Sequence, residues 1–323
     1  TPKKSATVVE QLERAGAICI GKTNMDQFAT GLNGTRSPYG SCGSAFNPTM
    51  VAGGSSSGSA VSVALQQVCF SIGTDTGGSG RIPAGLNNII GLKPTVGTLS
   101  SKGLVPCCPS LDCPSIFSLN IEDAIEIAQT AFKPDNLDPS LRYDSIRGSF
   151  NLLKIDKSFN VYIPKTNQLE FFGNEEGKLL YEKAITNFSS LGAKVKHIDF
   201  EPFIEASKLL FEGPWVSERY ASIGEFIQQN SHNVLDITKK VVNNGLEWKG
   251  EDVFKGMTKI KEIKSYLQNT IGQNDFIVLP TVATLYTIEE MEKDPIRLNN
   301  HHGYYSYFAN ILDLCAISIP SNF

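Results

Sequence analysis

Two loops rich in glycine and serine, Gly53-Gly-Ser-Ser-Ser-Gly58 and Gly73-Thr-Asp-Thr-Gly-Gly-Ser-Gly-Arg81, flank a stretch that reads as one helix (Ala60–Gln67) and one strand (Val68–Thr74). Glycine reaches positive φ without strain, so such loops turn sharply or let another group approach the backbone closely. A serine set among them is either a turn residue or a hydroxyl meant to react. Joined by a helix–strand unit, Ser55 and Ser79 can be drawn together in space. That is the geometry of a nucleophile with a hydroxyl partner to move its proton, hence of acyl transfer.

Two simpler readings compete. Glycine-rich loops that open helices cradle phosphates, but a Walker loop ends in G-K-[ST] and here the helix opens with Gly58–Ser59–Ala60. The GxGxxG dinucleotide fingerprint is also missing. Gly54-Ser-Ser-Ser-Gly58 matches the nucleophile elbow G-x-S-x-G with Ser56 at its centre, and His301 or His302 as base. That elbow needs a strand directly before it, and Asn47–Pro48–Thr49 are turn formers instead.

The elements that must position these loops follow from periodicity. Ala6–Ala15 reads as an amphipathic helix and Ala17–Gly21 as a strand after it. Further strands are expected at Ser115–Leu119, Asn160–Ile163, Gly192–Phe200, Phe276–Leu279 and Cys315–Pro320, with helices at Glu122–Ala131 and Glu175–Leu191. Residues from about 201 to 270 are helical in period. Alternating β and α elements predict an α/β domain with a mixed or mostly parallel sheet covered on both faces. All 323 residues are read as one domain, cut at both ends: the first helix lacks a strand before it, and the last strand runs almost to the terminus.

Composition narrows the partners. Hydrophobic content is 41%, charged content 19% and net charge −4, with no basic tract to follow a phosphate backbone, so nucleic acid is not expected. No apolar run approaches the ~20 residues that span a bilayer, and a cytoplasmic protein is expected. The seven cysteines are an odd number. Cys107, Cys108 and Cys113 lack the CxxC or histidine spacing of a zinc site, so reduced thiols and no metal are the reading.

The run GGSSSGSAVSVAL, continued by GTDTGGSGRIPAGLNNIIGLKPT, resembles the amidase signature family over more than thirty positions. The resemblance implies a large twisted mixed β-sheet covered by helices on both faces and amide hydrolysis by a Ser–cis-Ser–Lys triad. Ser79 matches the acyl-forming nucleophile and Ser55 the bridging serine, which follows a cis peptide bond. The backbone of Thr76, Gly77, Gly78 and Ser79 matches the oxyanion hole. Ser56, Asp75 and Arg81 match groups that hold the loops. The triad lysine falls before Thr1, while Lys22 and Lys93 match other, structural positions. No cofactor is implied.

Four further segments are similar to the allophanate-hydrolysing members of that family: Asn24–Gly40, Gly103–Phe117, Phe211–Tyr220 and Asp294–Ala316. Their likeness implies allophanate as the small-molecule substrate, ammonia release in urea degradation, a homodimer, and a parent protein that works with, or is fused to, a biotin-dependent urea carboxylase. Arg219 matches the arginine that grips the substrate carboxylate, which suits a planar guanidinium. Phe211 stands where a tyrosine is expected. Asp112 and Cys113 line the pocket or close a loop, and the Tyr304–Phe308 run reads as core packing. Two alternatives stand: the amidase subunit of a glutamine-dependent tRNA amidotransferase, where glutamine is expected at Ile82, and a non-catalytic binding module without the lysine.

Overall fold

The computed structural model describes residues 3–142, 150, 159–272 and 274–321. Its elements are α1 (Thr7–Arg14), α2 (Ser57–Ala64), β1 (Phe70–Asp75), α3 (Arg81–Leu86), β2 (Ile90–Lys93), β3 (Cys113–Ser118), α4 (Ile121–Ala131) and β4 (Asn160–Pro164). They continue with α5 (Glu175–Ser190), β5 (Lys194–Ile198), α6 (Glu201–Phe211), α7 (Val216–Gln229), α8 (Asp236–Asn243) and α9 (Gly250–Thr270). The chain closes with β6 (Phe276–Ile277), α10 (Ile288–Lys293), α11 (Arg297–Gly303), α12 (Phe308–Ile311) and β7 (Ala316–Ser318).

The strands pair in two groups. One is antiparallel in the order β1-β3-β2-β7, and the other is parallel in the order β5-β4-β6. The structure is therefore mixed α/β, with the antiparallel group carrying the loops of interest. Successive strand side chains point to opposite faces, and β3 shows what that does here. Ile116 packs with Val8, Leu12, Ala124 and Ala128 of α1 and α4, whereas Phe117 packs with Ala60, Val63 and Ala84 of α2 and α3. Helices cover both faces, so all six residues of β3 are buried, Ser115 and Ser118 included.

The helices follow their sequence signals. Asn120 caps α4 by accepting a hydrogen bond from Asp123 N at 2.8 Å. Val8 and Leu12 of α1 fall on one face four residues apart, and both are buried. The helical region packs α6 and α9 against α12 through Phe203, Leu210, Ile260, Ile263 and Phe308.

One expected strand is absent. Ala17–Gly21 carries no strand pairing, and Ile18 and Ile20 are 85% and 73% exposed. A strand needs a neighbour for its backbone groups, and none lies beside this segment among the described residues.

Phe117 fills the space between α2 and β1, and a Cβ on Gly73 would already lie 2.8 Å from its ring. Phe117→Ala is expected to lower unfolding stability by about 3–5 kcal/mol, measured by urea denaturation.

Candidate active site

The first loop turns at Gly53, whose φ is +76°, and the Gly54–Ser55 peptide bond is cis. Asp26 fits beneath it: its N–H donates to Ser55 O at 3.0 Å, and a Cβ on Gly54 would collide with its carboxylate. That carboxylate accepts from the N–H groups of Asn33, Gly34 and Arg36 at 3.2, 3.1 and 2.8 Å. Burial raises its pKa, against the pull of Arg36 and the three N–H groups.

Ser56 is spent on structure. Its hydroxyl donates to Thr74 O and accepts from Thr74 N, both at 3.2 Å, fastening the start of α2 to β1. Ser57 and Ser59 likewise bond to Asn24 O and Ile72 O. Ser55 differs. It is fully buried, and its Oγ has no hydrogen-bond partner among the described residues.

The second loop leaves the end of β1 at Asp75, and the two loops meet where Ser56 N–H donates to Ser79 O at 3.4 Å. The Ser55 and Ser79 hydroxyls do not hydrogen-bond to each other in this structure. Asp75 Oδ1 accepts from Gly78 N at 2.8 Å, and Oδ2 accepts from Gly80 N at 3.1 Å and Arg81 N at 3.3 Å. The Arg81 guanidinium completes a two-pronged ion pair, Nε to Oδ2 and Nη2 to Oδ1, both at 3.0 Å. Burial alone would raise the Asp75 pKa. Arg81 outweighs it, helped by Lys93 and Gly78 N–H, and holds the carboxyl below its ordinary value.

One site expectation needs correction. Gly78 N–H is committed to Asp75, so it is not a free donor for an oxyanion. The N–H groups of Thr76, Gly77 and Ser79 have no protein partner among the described residues. Gly78 is needed for a different reason: its φ is +136°, and a Cβ there would collide with Ser306 Oγ. That hydroxyl donates to Gly77 O at 2.9 Å and fixes the loop from the far side.

Arg219 is brought to the same place from α7. It is 2% exposed, its guanidinium carbon stands 5.2 Å from the centre of the Phe211 ring, and Nε has no partner among the described residues. A Cβ on Gly77 would touch Phe211 at 2.8 Å, so this ring links Arg219 to the serine loop. Tyr307 also packs against Phe211, with ring centres 3.9 Å apart. Asp112 accepts from Cys107 N at 2.7 Å and from the Thr76 hydroxyl, so it closes a loop and reaches the site together. Burial works against the charge of Arg219, but Cys107, Cys108 and Asp112 outweigh it and raise its pKa.

The geometry disposes of the elbow reading. His302 Nδ1 bonds to Asn33 Oδ1 at 2.8 Å, and His301 Nδ1 bonds to the Tyr286 hydroxyl at 2.6 Å. Burial takes the His302 pKa down to about 4. Lys93 is fully buried, with Nζ 2.8 Å from Pro94 O and 3.9 Å from Cys113 Sγ. Lys22 is exposed. Neither lysine serves Ser55.

The sequence reading missed Asp26, Ser306 and Asn310. Asn310 Nδ2 donates to Asp75 O at 2.7 Å across 235 residues of chain, and its Oδ1 accepts from Arg81 Nη2 at 3.2 Å. The Tyr304–Phe308 run does pack in the core, yet it also carries Ser306 and Tyr307 to the site.

The site is thus two serine loops buttressed by a buried aspartate–arginine pair, and comparison with known proteins places the chain among amide hydrolases. The amidase family model matches residues 1–323, and the chain belongs to the amidase family. It is 40% identical to the urea amidolyase of Saccharomyces cerevisiae over its full length, covering 17% of that protein. An allophanate hydrolase structure from Kluyveromyces lactis superposes with a TM-score of 0.91 at 39% identity, covering all of this chain and 52% of that one. A glutamyl-tRNA(Gln) amidotransferase subunit from Lactobacillus johnsonii is 30% identical, covering 99% of this chain and 71% of that protein. The chain thus spans only part of the relatives it matches. No helix among the described residues is long and apolar enough to cross a membrane.

A depressed carboxylate pKa adds stability that is complete above the unfolded value and lost as pH falls through the folded one. Replacing one partner of a buried pair costs about 3–5 kcal/mol. The gap in unfolding free energy between wild type and Asp75→Asn is therefore expected to stay level from about pH 8 to about pH 5 and to narrow below the ordinary carboxylate pKa of ~3.9. Urea titrations across that range check it, and a gap that widens toward acid contradicts the assignment.

Proposed function

We propose that this chain is the catalytic domain of an amidohydrolase that releases ammonia from allophanate. One observation carries the reading: Ser55 Oγ is buried and unpartnered on a loop hydrogen-bonded to the backbone of Ser79. An orphaned buried hydroxyl is costly, and a role in proton transfer explains why it persists. Ser79 Oγ attacks the terminal amide carbonyl carbon and gives its proton to Ser55, which passes one on to the base. The carbonyl oxygen becomes an oxyanion held by the N–H groups of Thr76, Gly77 and Ser79, each such donor being worth ~3 kcal/mol at the transition state. Collapse breaks the carbon–nitrogen bond, the returned proton leaves with ammonia, and water then hydrolyses the acyl-Ser79 ester.

The base in this proposal is the lysine that the family resemblance implies before Thr1; Lys93 is tied to Pro94 and Cys113. No step draws on a metal or an organic cofactor. Allophanate is urea bearing a carboxylate, and the buried Arg219 beside the Gly77 loop offers a guanidinium for that carboxylate. The resemblance to a urea amidolyase further supports a parent protein that acts with a biotin-dependent urea carboxylase in urea degradation.

The test uses the full-length protein with allophanate, glutamine and a simple aliphatic amide. Ser79→Ala is expected to lower ammonia release from allophanate by roughly 10⁴-fold or more. Arg219→Gln is expected to lower kcat/KM for allophanate by roughly 10²-fold or more. The simple amide, which has no carboxylate to lose, should be far less affected by that change. Release from glutamine alone would overturn the substrate, and a wild-type protein inert toward all three would overturn the enzyme reading.

A further inference from the structure

Where β1 ends, a side chain from α12 takes hold of the loop that follows. Asp75 closes the β1–β3 ladder opposite Cys113. Asp75 O accepts from Asn310 Nδ2 at 2.7 Å, the short end of the N–H···O range, and the Cys113 thiol lies 3.3 Å from the same oxygen. Asn310 is 2% exposed. Its neighbours allow the amide one orientation. Arg81 Nη2 can only donate and meets Oδ1 at 3.2 Å, while the Nδ2 hydrogens go to Asp75 O and to Leu111 O, the latter at 3.0 Å.

The carbonyl of Asp75 and the N–H of Thr76 belong to one peptide unit. A planar, trans unit sets these two groups in opposite directions, so holding one aims the other. Donation to the carbonyl also polarises the unit and strengthens its N–H as a donor. Thr76 is gripped by its side chain as well, since its hydroxyl donates to Asp112 Oδ1. Leu111, whose carbonyl Asn310 bonds, immediately precedes Asp112. One asparagine thus binds the Asp75–Thr76 unit to the segment that clasps Thr76. The Ser79 unit is held differently, by its own turn: Gly78 O accepts from Ile82 N at 2.8 Å.

We propose that Asn310 is a positioning residue for amide hydrolysis, aiming the Thr76 N–H at the oxyanion that forms when Ser79 attacks. The inference rests on the proposed function and adds to it a residue that acts through a peptide unit of the loop. A purely architectural asparagine predicts a different outcome: fewer folded molecules, each turning over at the full rate. Loss of an interaction made in the transition state instead lowers kcat and kcat/KM together and leaves KM alone.

The test uses the full-length protein and two variants. Asn310→Ala removes the hold outright. Asn310→Asp keeps the shape and the bond to Arg81 but sets an acceptor against Asp75 O, and it carries the measurement if the alanine variant does not fold. In each, kcat per folded molecule for ammonia release from allophanate is expected to fall roughly 10–10²-fold, with KM changed by less than about twofold. Hydrogen exchange read by mass spectrometry gives a second measure that needs no turnover. The segment of residues 70–81 should take up deuterium faster in both variants, as the Gly78 and Gly80 N–H groups lose protection, while α2 keeps its rate. An unchanged kcat per folded molecule overturns the proposal. So does a raised KM with kcat kept, which would put Asn310 in substrate binding, or an unchanged exchange rate in the segment of residues 70–81. A wild-type protein inert toward every amide would count against the proposed function, and exchange would still decide whether Asn310 holds the loop.

Discussion

The buried pair of Asp75 and Arg81 is the constraint from which the site is built. Five donors converge on one carboxylate: the N–H groups of Gly78, Gly80 and Arg81, and two prongs of the Arg81 guanidinium. A carboxylate has about four lone-pair positions, so Asp75 is saturated and its oxygens cannot turn. Two of the three remaining guanidinium N–H donors reach Ser306 O and Asn310 Oδ1. One ion pair therefore joins the end of β1, the first turn of α3 and the segment from α11 to α12. Desolvating both charges is expensive, and the cost is met only because nearly every lone pair and proton has a partner.

Three buried carboxylates in this region show how surroundings decide charge. Asp75 has a guanidinium bonded directly to it, and its pKa goes down. Asp26 leans on three backbone N–H groups with no direct side-chain cation, and Asp112 leans on backbone N–H groups and the Thr76 hydroxyl. Burial wins at both, and their pKa values go up. Neutral donors stabilise an anion less than a contacting cation does. The loop that carries Ser79 thus has a firmly ionised anchor, while the cis-peptide loop and the Arg219 wall are bounded by softer charges.

The two serine loops were legible because glycine is required where the backbone turns at positive φ or is approached closely, as at Gly53 and Gly78. The places of β1, β3 and α4 were legible from apolar periodicity, though not their ends: β1 was expected from Val68 and starts at Phe70, and β3 was expected from Ser115 and starts at Cys113. Ala17–Gly21 was not legible, because an apolar alternation says that a segment can pair but not that a partner lies beside it. Asp26, Ser306 and Asn310 left no local signal at all. Asparagine and serine beside aromatic residues look like ordinary core-facing turns, and their partners lie up to 235 residues away. Arg219 was visible only through family resemblance, since nothing in the period of α7 separates a buried arginine from a solvated one. The Gly78 correction has the same origin: sequence shows where a glycine is, not which acceptor its N–H will find.

That correction bears on how the loop works. Four consecutive N–H groups cannot all point at one oxygen, because successive peptide units turn relative to each other. Tying Gly78 N–H to Asp75 spends one donor on rigidity, while the N–H groups of Thr76, Gly77 and Ser79 have no protein partner among the described residues. Preorganised donors stabilise developing charge better than mobile ones, since no reorganisation is needed at the moment of reaction. Ser306 adds to that rigidity by donating to Gly77 O at 2.9 Å, which fixes the neighbouring peptide unit. The positive φ at Gly78 is the backbone consequence of serving both ends at once. A residue with a Cβ there would have to give up either the Asp75 bond or the Ser306 contact, and with it the aim of the neighbouring donors.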